Sequence, residues 1–210
     1  MEEFIQRFKT DFTPAEFPHG MFYNCDIGLR FELGGEENST SRPLKRFAQA
    51  LSRADAVSSS VFSKSSSVWL LSSTYGTELP AKKRLKPYKF CGLTKSSFEY
   101  LGATPQLDNN HIQTFGSDLY RHWDVAKLAD IGQLHEVLWL TLGSELGIKP
   151  TVYADIYIVD FEKSIALHPY DDRGMDVVSM DEENLAHLYD KHKSWLLEYD
   201  ATQMKAKFES

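Results

Sequence analysis

The chain has 210 residues, of which 42% are hydrophobic and 25% charged, with a net charge of −7. That is enough chain to bury a core without disulfides or metal staples, and two cysteines, Cys25 and Cys91, are too few for a disulfide-built scaffold, so both are expected as reduced thiols. No run approaches the ~18 apolar residues of a membrane span, and the acidic start Met1-Glu2-Glu3-Phe4 lacks the basic region of a signal peptide, so a cytoplasmic protein off the membrane is expected.

In chain order, Phe4, Ile5, Phe8 and Phe12 recur at helical spacing, and Pro14 and Pro18 close that segment. Ile27 to Leu33 alternates apolar and polar with period two, which predicts a half-buried strand stopped by Gly34-Gly35. Residues 42–57 predict a helix. Pro43 suits its first turn, and Leu44, Phe47, Ala48, Leu51 and Ala54 form its apolar stripe. The serine-rich stretch Ser58 to Ser67 reads as the helix end and a turn into a strand over Val68 to Ser73.

From Tyr75 to Asn110 the pattern weakens, and an irregular excursion is expected. It holds a basic run, Lys82, Lys83, Arg84, Lys86, Lys89 and Lys95, that reads as a solvated loop. His111 to Val125 reads as a strand or hairpin about Gly116-Ser117-Asp118. Ile131 to Leu146 predicts a helix, with Gly147 as its cap and Pro150 beyond it. Thr151 to Phe161 is rich in β-branched and aromatic residues and predicts a central strand. Ile165 to Leu167 is its hairpin partner, and Met175 to Val178 is a further strand. Ser179 and Glu182 fit a capping box for a last helix running through Leu185, Leu188, Tyr189, His192, Trp195, Leu196 and Tyr199. Successive strands with no helix between them predict one α+β domain over 1–210, with helices packed on a mostly antiparallel or mixed sheet.

The charge is uneven. Residues 151–200 hold 12 acidic and 4 basic side chains, a net of −8; residues 201–210 net +1, which leaves the first 150 residues neutral. An acidic C-terminal quarter repels nucleic acid and attracts basic partners. Phosphate-binding glycine loops, HExxH, paired CxxC and GxSxG are all absent from the sequence, so no metal or cofactor is expected.

One dense polar cluster remains, His168-Pro169-Tyr170-Asp171-Asp172-Arg173-Gly174-Met175-Asp176. As a site, Asp171 and Asp172 would be an acid/base pair or cation ligands, with Arg173 as an anion clamp. As a turn, Arg173 would pair with a nearby carboxylate and Gly174 would take a positive φ. Adjacent strand carboxylates point to opposite faces, which favours the turn.

The stretches Tyr170 to Asp176 and Trp195 to Asp200 resemble the signature of an uncharacterised bacterial family, domain of unknown function 3885. That signature is a Tyr-Asp-Asp-Arg-Gly-x-Asp turn, followed by a helix ending in Trp-Leu-x-x-Tyr-Asp. Arg30 to Gly35, Arg46 to Ala50 and Arg53-Ala54 are similar to the same family. Its closing Arg is Ala201 here. The resemblance implies no activity and no catalytic residues.

The expected function is therefore that of a non-catalytic binding protein, of the immunity type, that neutralises a basic toxin such as a nuclease. Its docking surface is expected among Asp171, Asp172, Asp181, Glu182, Glu183 and Asp190. The alternative is a hydrolase or nucleic-acid-processing enzyme using His168, Asp171, Asp172 and Arg173. A third reading is a regulator with a peptide ligand, which would show an exposed apolar groove.

Overall fold

Seven strands that bury apolar residues on both faces organise the chain. The structure is a computed structural model and describes residues 20–35, 38, 40–106, 112 and 119–209. The expected helix over Glu2 to Phe12 and the turn at Gly116-Ser117-Asp118 lie outside these residues. The strands are β1 (Gly28–Glu32), β2 (Trp69–Gly76), β3 (Glu99–Pro105), β4 (Tyr120–Lys127), β5 (Asp155–Asp160), β6 (Ile165–Asp171) and β7 (Gly174–Ser179). They form one sheet in the order β1-β7-β6-β5-β2-β4-β3, with every neighbour antiparallel. The α+β class holds, and β5 is the central strand.

Side chains alternate across this sheet with period two. On β5, Ile156 and Ile158 join the core shared with the helices, while Tyr157 and Val159 face the other way. Four helices are described: α1 (Pro43–Phe62), α2 (Ile131–Leu142), α3 (Glu183–Lys191) and α4 (Ala201–Phe208). All four feed the first core and none feeds the second.

Helix α1 runs five residues past its expected end, because Val57, Ser58, Val61 and Phe62 continue its buried face. The serines supply small volume and bond locally: Ser60 Oγ donates to the Ala56 carbonyl at 2.9 Å. The stripe is rotated from the expected one. Phe47, Ala50 and Ala54 are buried, whereas Ala48 is exposed and Leu44 is 73% exposed.

Helix α2 starts where the Asp130 side chain accepts from the Gln133 N–H at 2.9 Å. It stops at Leu142, four residues short of expectation. The chain folds back there, with Ile148 N donating to the Gly143 carbonyl at 2.9 Å. The irregular stretch 75–110 in fact contains β3 and two 3-10 turns, Lys86–Cys91 and Lys95–Ser97.

The last predicted helix is broken. α3 ends at Lys191, 3-10 turns follow at Lys193–Trp195 and Glu198–Asp200, and α4 comes after them. No proline or glycine causes the break. The free edge of β1 does: Leu197 N donates to the Arg30 carbonyl at 2.9 Å, and Leu196 bridges Phe31. An edge strand leaves backbone groups unpaired, and pairing them outweighs helical periodicity. The expected capping box does not form either. Ser179 Oγ accepts from Asp181 N at 3.1 Å and from Asn184 Nδ2 at 3.1 Å, and Glu182 offers no side-chain cap.

Gly174 is required for space and not for a positive φ, since it is not among the residues with positive φ. A Cβ there would lie 2.6 Å from the Phe31 carbonyl oxygen and would also strike the Tyr170 hydroxyl. Gly174→Ala is therefore expected to lower stability by about 2 kcal/mol. Urea unfolding checks this: the midpoint falls while the slope stays at its wild-type value.

Candidate functional site

The polar residues singled out in the sequence separate into a buried network and an exposed face. The network begins with Arg30 on β1, whose cross-strand partner on β7 is Asp176. Arg30 Nε donates to Asp176 Oδ1 at 2.7 Å and Nη2 donates to Oδ2 at 3.1 Å, a bidentate pair in which Asp176 is fully buried. The Tyr23 ring lies 4.3 Å from the guanidinium carbon and Tyr170 lies 5.6 Å away. Asp200 joins through Arg30 Nη1 at 3.5 Å and accepts from the Tyr23 hydroxyl at 3.1 Å. Burial alone would lower the Arg30 pKa; the hydrogen bonds and charge of Asp176 outweigh it and hold the pKa above its ordinary value. Burial also raises the Tyr170 phenol, with help from the Asp176 charge.

A second knot holds the end of β1 to α1. Arg46 pairs with Asp172 through Nε, and its Nη1 donates to the carbonyls of Gly35 at 2.8 Å and Asn38 at 2.9 Å. Gln49 Nε2 donates to the Gly34 carbonyl at 2.9 Å, and Arg53 Nη1 donates to the Glu32 carbonyl at 3.0 Å. The Gly34, Gly35 and Asn38 carbonyls lie past the end of β1 and that of Glu32 is on its last residue, and α1 supplies their donors.

The His168, Asp171, Asp172 and Arg173 cluster is dispersed by this arrangement. His168 is fully buried, donates Nδ1–H to the Ile156 carbonyl at 2.7 Å and stacks on Tyr157 with ring centres 4.4 Å apart. Asp171 accepts from Arg173 N at 2.7 Å and from its guanidinium, the local pairing of a turn. Asp172 is drawn the other way, to Arg46. The two adjacent carboxylates thus serve different partners. Both thiols are pushed up to about 12, chiefly by burial, so neither is a thiolate at neutral pH.

Residues 4–200 match the family described as "Domain of unknown function (DUF3885)". The chain belongs to the DUF3885 family. A relative, "Uncharacterized protein YnaE" of Bacillus subtilis (strain 168), is 38% identical over 47 residues, a stretch that is 22% of this chain and 22% of that protein. No solved structure matches. Among the described residues, no helix is long and apolar enough to cross a membrane.

In this DUF3885 chain the stretches that carried the resemblance meet in space. Arg30 to Gly35, Arg46 to Ala54 and Tyr170 to Asp176 form the two knots. Asp200 closes the first, and Trp195 packs on His192 with ring centres 4.7 Å apart. Of the six carboxylates expected at a docking surface, Asp171 and Asp172 are buried in the fold. Asp181, Glu182, Glu183 and Asp190 are exposed at α3, and among the described residues none of these four makes an ion pair. Exposed Asp181 accepts from Glu183 N at 3.0 Å, and the acids at the helix start complement its dipole.

The two buried-carboxylate environments give a ranked expectation. Asp172→Ala strands a mostly buried Arg46 and should cost about 3 kcal/mol. Asp171→Ala releases a guanidinium that is already 75% exposed and should cost roughly 1 kcal/mol or less. Chemical denaturation of the two variants checks the order, and equal or inverted losses would contradict the assignment.

Proposed function

We propose that this protein is a non-catalytic binding protein of the bacterial cytoplasm, of the immunity type, that neutralises a basic toxin by docking on it. The observation that carries the reading is the exposed face of α3. Asp181, Glu182 and Glu183 stand together at the helix start, Asp190 lies two turns on, and among the described residues none is neutralised by a cation. Met180, 47% exposed, adds an apolar contact beside the acids. The buried face of the same helix, Leu185, Leu188 and Tyr189, fixes its position. Such a surface speeds encounter with a basic protein and occludes a nuclease's own anion-binding site. The partner is a protein; the sign of the face disfavours nucleic acid, and the reading calls for no cofactor.

The hydrolase alternative draws on His168, Asp171, Asp172 and Arg173, and all four already have partners within the fold. No observation favours it over docking.

Affinity purification of the tagged full chain from its own cytoplasm, read by mass spectrometry, tests the proposal. A basic protein should co-purify in stoichiometric amount, and the chain should inhibit that protein's activity. Reversing charge at Asp181→Lys, Glu182→Lys and Glu183→Lys together should weaken the complex roughly tenfold or more, with a steeper loss at low salt. An unchanged affinity in the triple variant would remove α3 from the interface. The absence of any basic partner would refute the toxin-neutralising role.

A further inference from the structure

The basic run read from the sequence as a solvated loop is pinned to the fold at its centre. In the 3-10 turn Lys86–Cys91, residues three apart stack in rows. Tyr88 and Cys91 point inward and are buried, and the Tyr88 hydroxyl donates to Ser72 Oγ at 2.7 Å. Gln133 Nε2 holds the Cys91 carbonyl at 2.7 Å. Arg84 is taken by Asp124 through two bonds of 2.6 Å. Lys83, Lys86 and Lys89 are exposed, and so is Lys149 from the chain after α2. Among the described residues none of these lysines makes an ion pair.

The remaining row is Pro87 and Phe90; two adjoining clefts share Phe90 and Pro150, and Pro87 lines the first of them. One, about 640 Å³, is bordered by Lys83, Lys86, Lys89 and Lys149. The other, about 420 Å³, is lined by Leu51, Trp139, Leu140 and Pro150 together with half-buried Asp55 and His135 and exposed Glu136. Phe90 is 58% exposed and Trp139 37% exposed, so the clefts present two aromatic side chains to solvent side by side with Pro150. Phe47 braces Trp139 edge-on at 4.6 Å, so the wall is fixed.

We propose that this groove binds an acidic peptide segment of a partner protein. A large apolar side chain would enter the Leu51–Trp139–Leu140 cleft, and flanking Asp or Glu residues would meet Lys83, Lys86, Lys89 and Lys149. Charge complementarity selects this occupant. A nucleic-acid strand would bring phosphates against the exposed carboxylate of Glu136 beside the apolar cleft, whereas a peptide presents its apolar anchor there and its acids only to the lysines. The site lies on residues other than the acidic face of α3 and takes a partner of the opposite charge, so it stands independently of the toxin-neutralising role.

Random linear peptides displayed on phage and panned against the full chain test the proposal. Enriched sequences should pair a Trp, Phe or Leu with neighbouring Asp and Glu. A synthetic copy should lose roughly tenfold or more in affinity on the double variant Lys86→Glu/Lys89→Glu, and likewise on Phe90→Ser. All three positions are exposed, so the variants should keep the wild-type urea midpoint, and Asp181→Lys/Glu182→Lys/Glu183→Lys should bind the peptide as tightly as wild type or more tightly. Enrichment of neutral or basic peptides, no enrichment, or full affinity in the Lys86/Lys89 variant would overturn the assignment. So would tight binding of oligo-deoxythymidylate that the same lysine changes abolish. Self-association that they abolish would do so too, because it would give the groove to a second copy of the chain.

Discussion

The buried pair between Arg30 and Asp176 is the constraint on which the arrangement of this protein turns. The two residues face each other across β1 and β7, on the side of the sheet away from the described helices. A slip of β1 by one residue would swing Arg30 into the apolar core of Leu29, Phe31 and Leu33, and would turn those residues outward. The ion pair therefore sets register more than it adds stability, since its attraction is offset by the cost of desolvating both charges. Its consequences reach the chain ends. Tyr23 before β1 and Asp200 after α3 both close on the same guanidinium. The segment Leu196–Leu197 is then held along the β1 edge, where it ends the helix.

Much of this was legible in the sequence and some was not, for identifiable reasons. β5, β6 and β7 follow one another through short turns, so β-branched content and turn residues were enough to place a hairpin and a further strand, which the structure joins as an antiparallel meander. β3 escaped notice because Glu99 to Pro105 includes a bulge and Gly102 at positive φ, which spoil a period-two pattern. The break at His192 left no local signal at all. Leu185 through Tyr199 keep helical spacing, and only the unpaired β1 edge, a tertiary feature, overrides it. Leu44 was placed on the α1 stripe by its apolarity, yet the helix continues to Phe62 and its buried face is set by Val57, Val61 and Phe62.

The polar cluster shows the same division. Its composition was visible, and the turn reading anticipated the Asp171–Arg173 pair. That Asp172 would reach Arg46, 126 residues away in sequence, required the fold. The stretches Arg30 to Gly35, Arg46 to Ala54 and Tyr170 to Asp176 mostly supply the donors and acceptors that lock β1, α1 and β7 together. Two exposed clusters of opposite sign stand on this framework: carboxylates at the start of α3, and lysines with aromatics around the turn Lys86–Cys91. Separate surfaces of opposite sign on a rigid scaffold suit partner recognition, where complementary charge sets encounter rate and orientation.

A double-mutant cycle on Arg30→Met and Asp176→Ala, measured by urea unfolding, tests the framework role most directly. Each single variant should lose about 3 kcal/mol by leaving its partner's charge buried. The double variant should lose at least roughly 1 kcal/mol less than the two losses combined. Additive losses within about 0.5 kcal/mol, or single variants as stable as wild type, would contradict the claim that this pair holds the sheet edge in register.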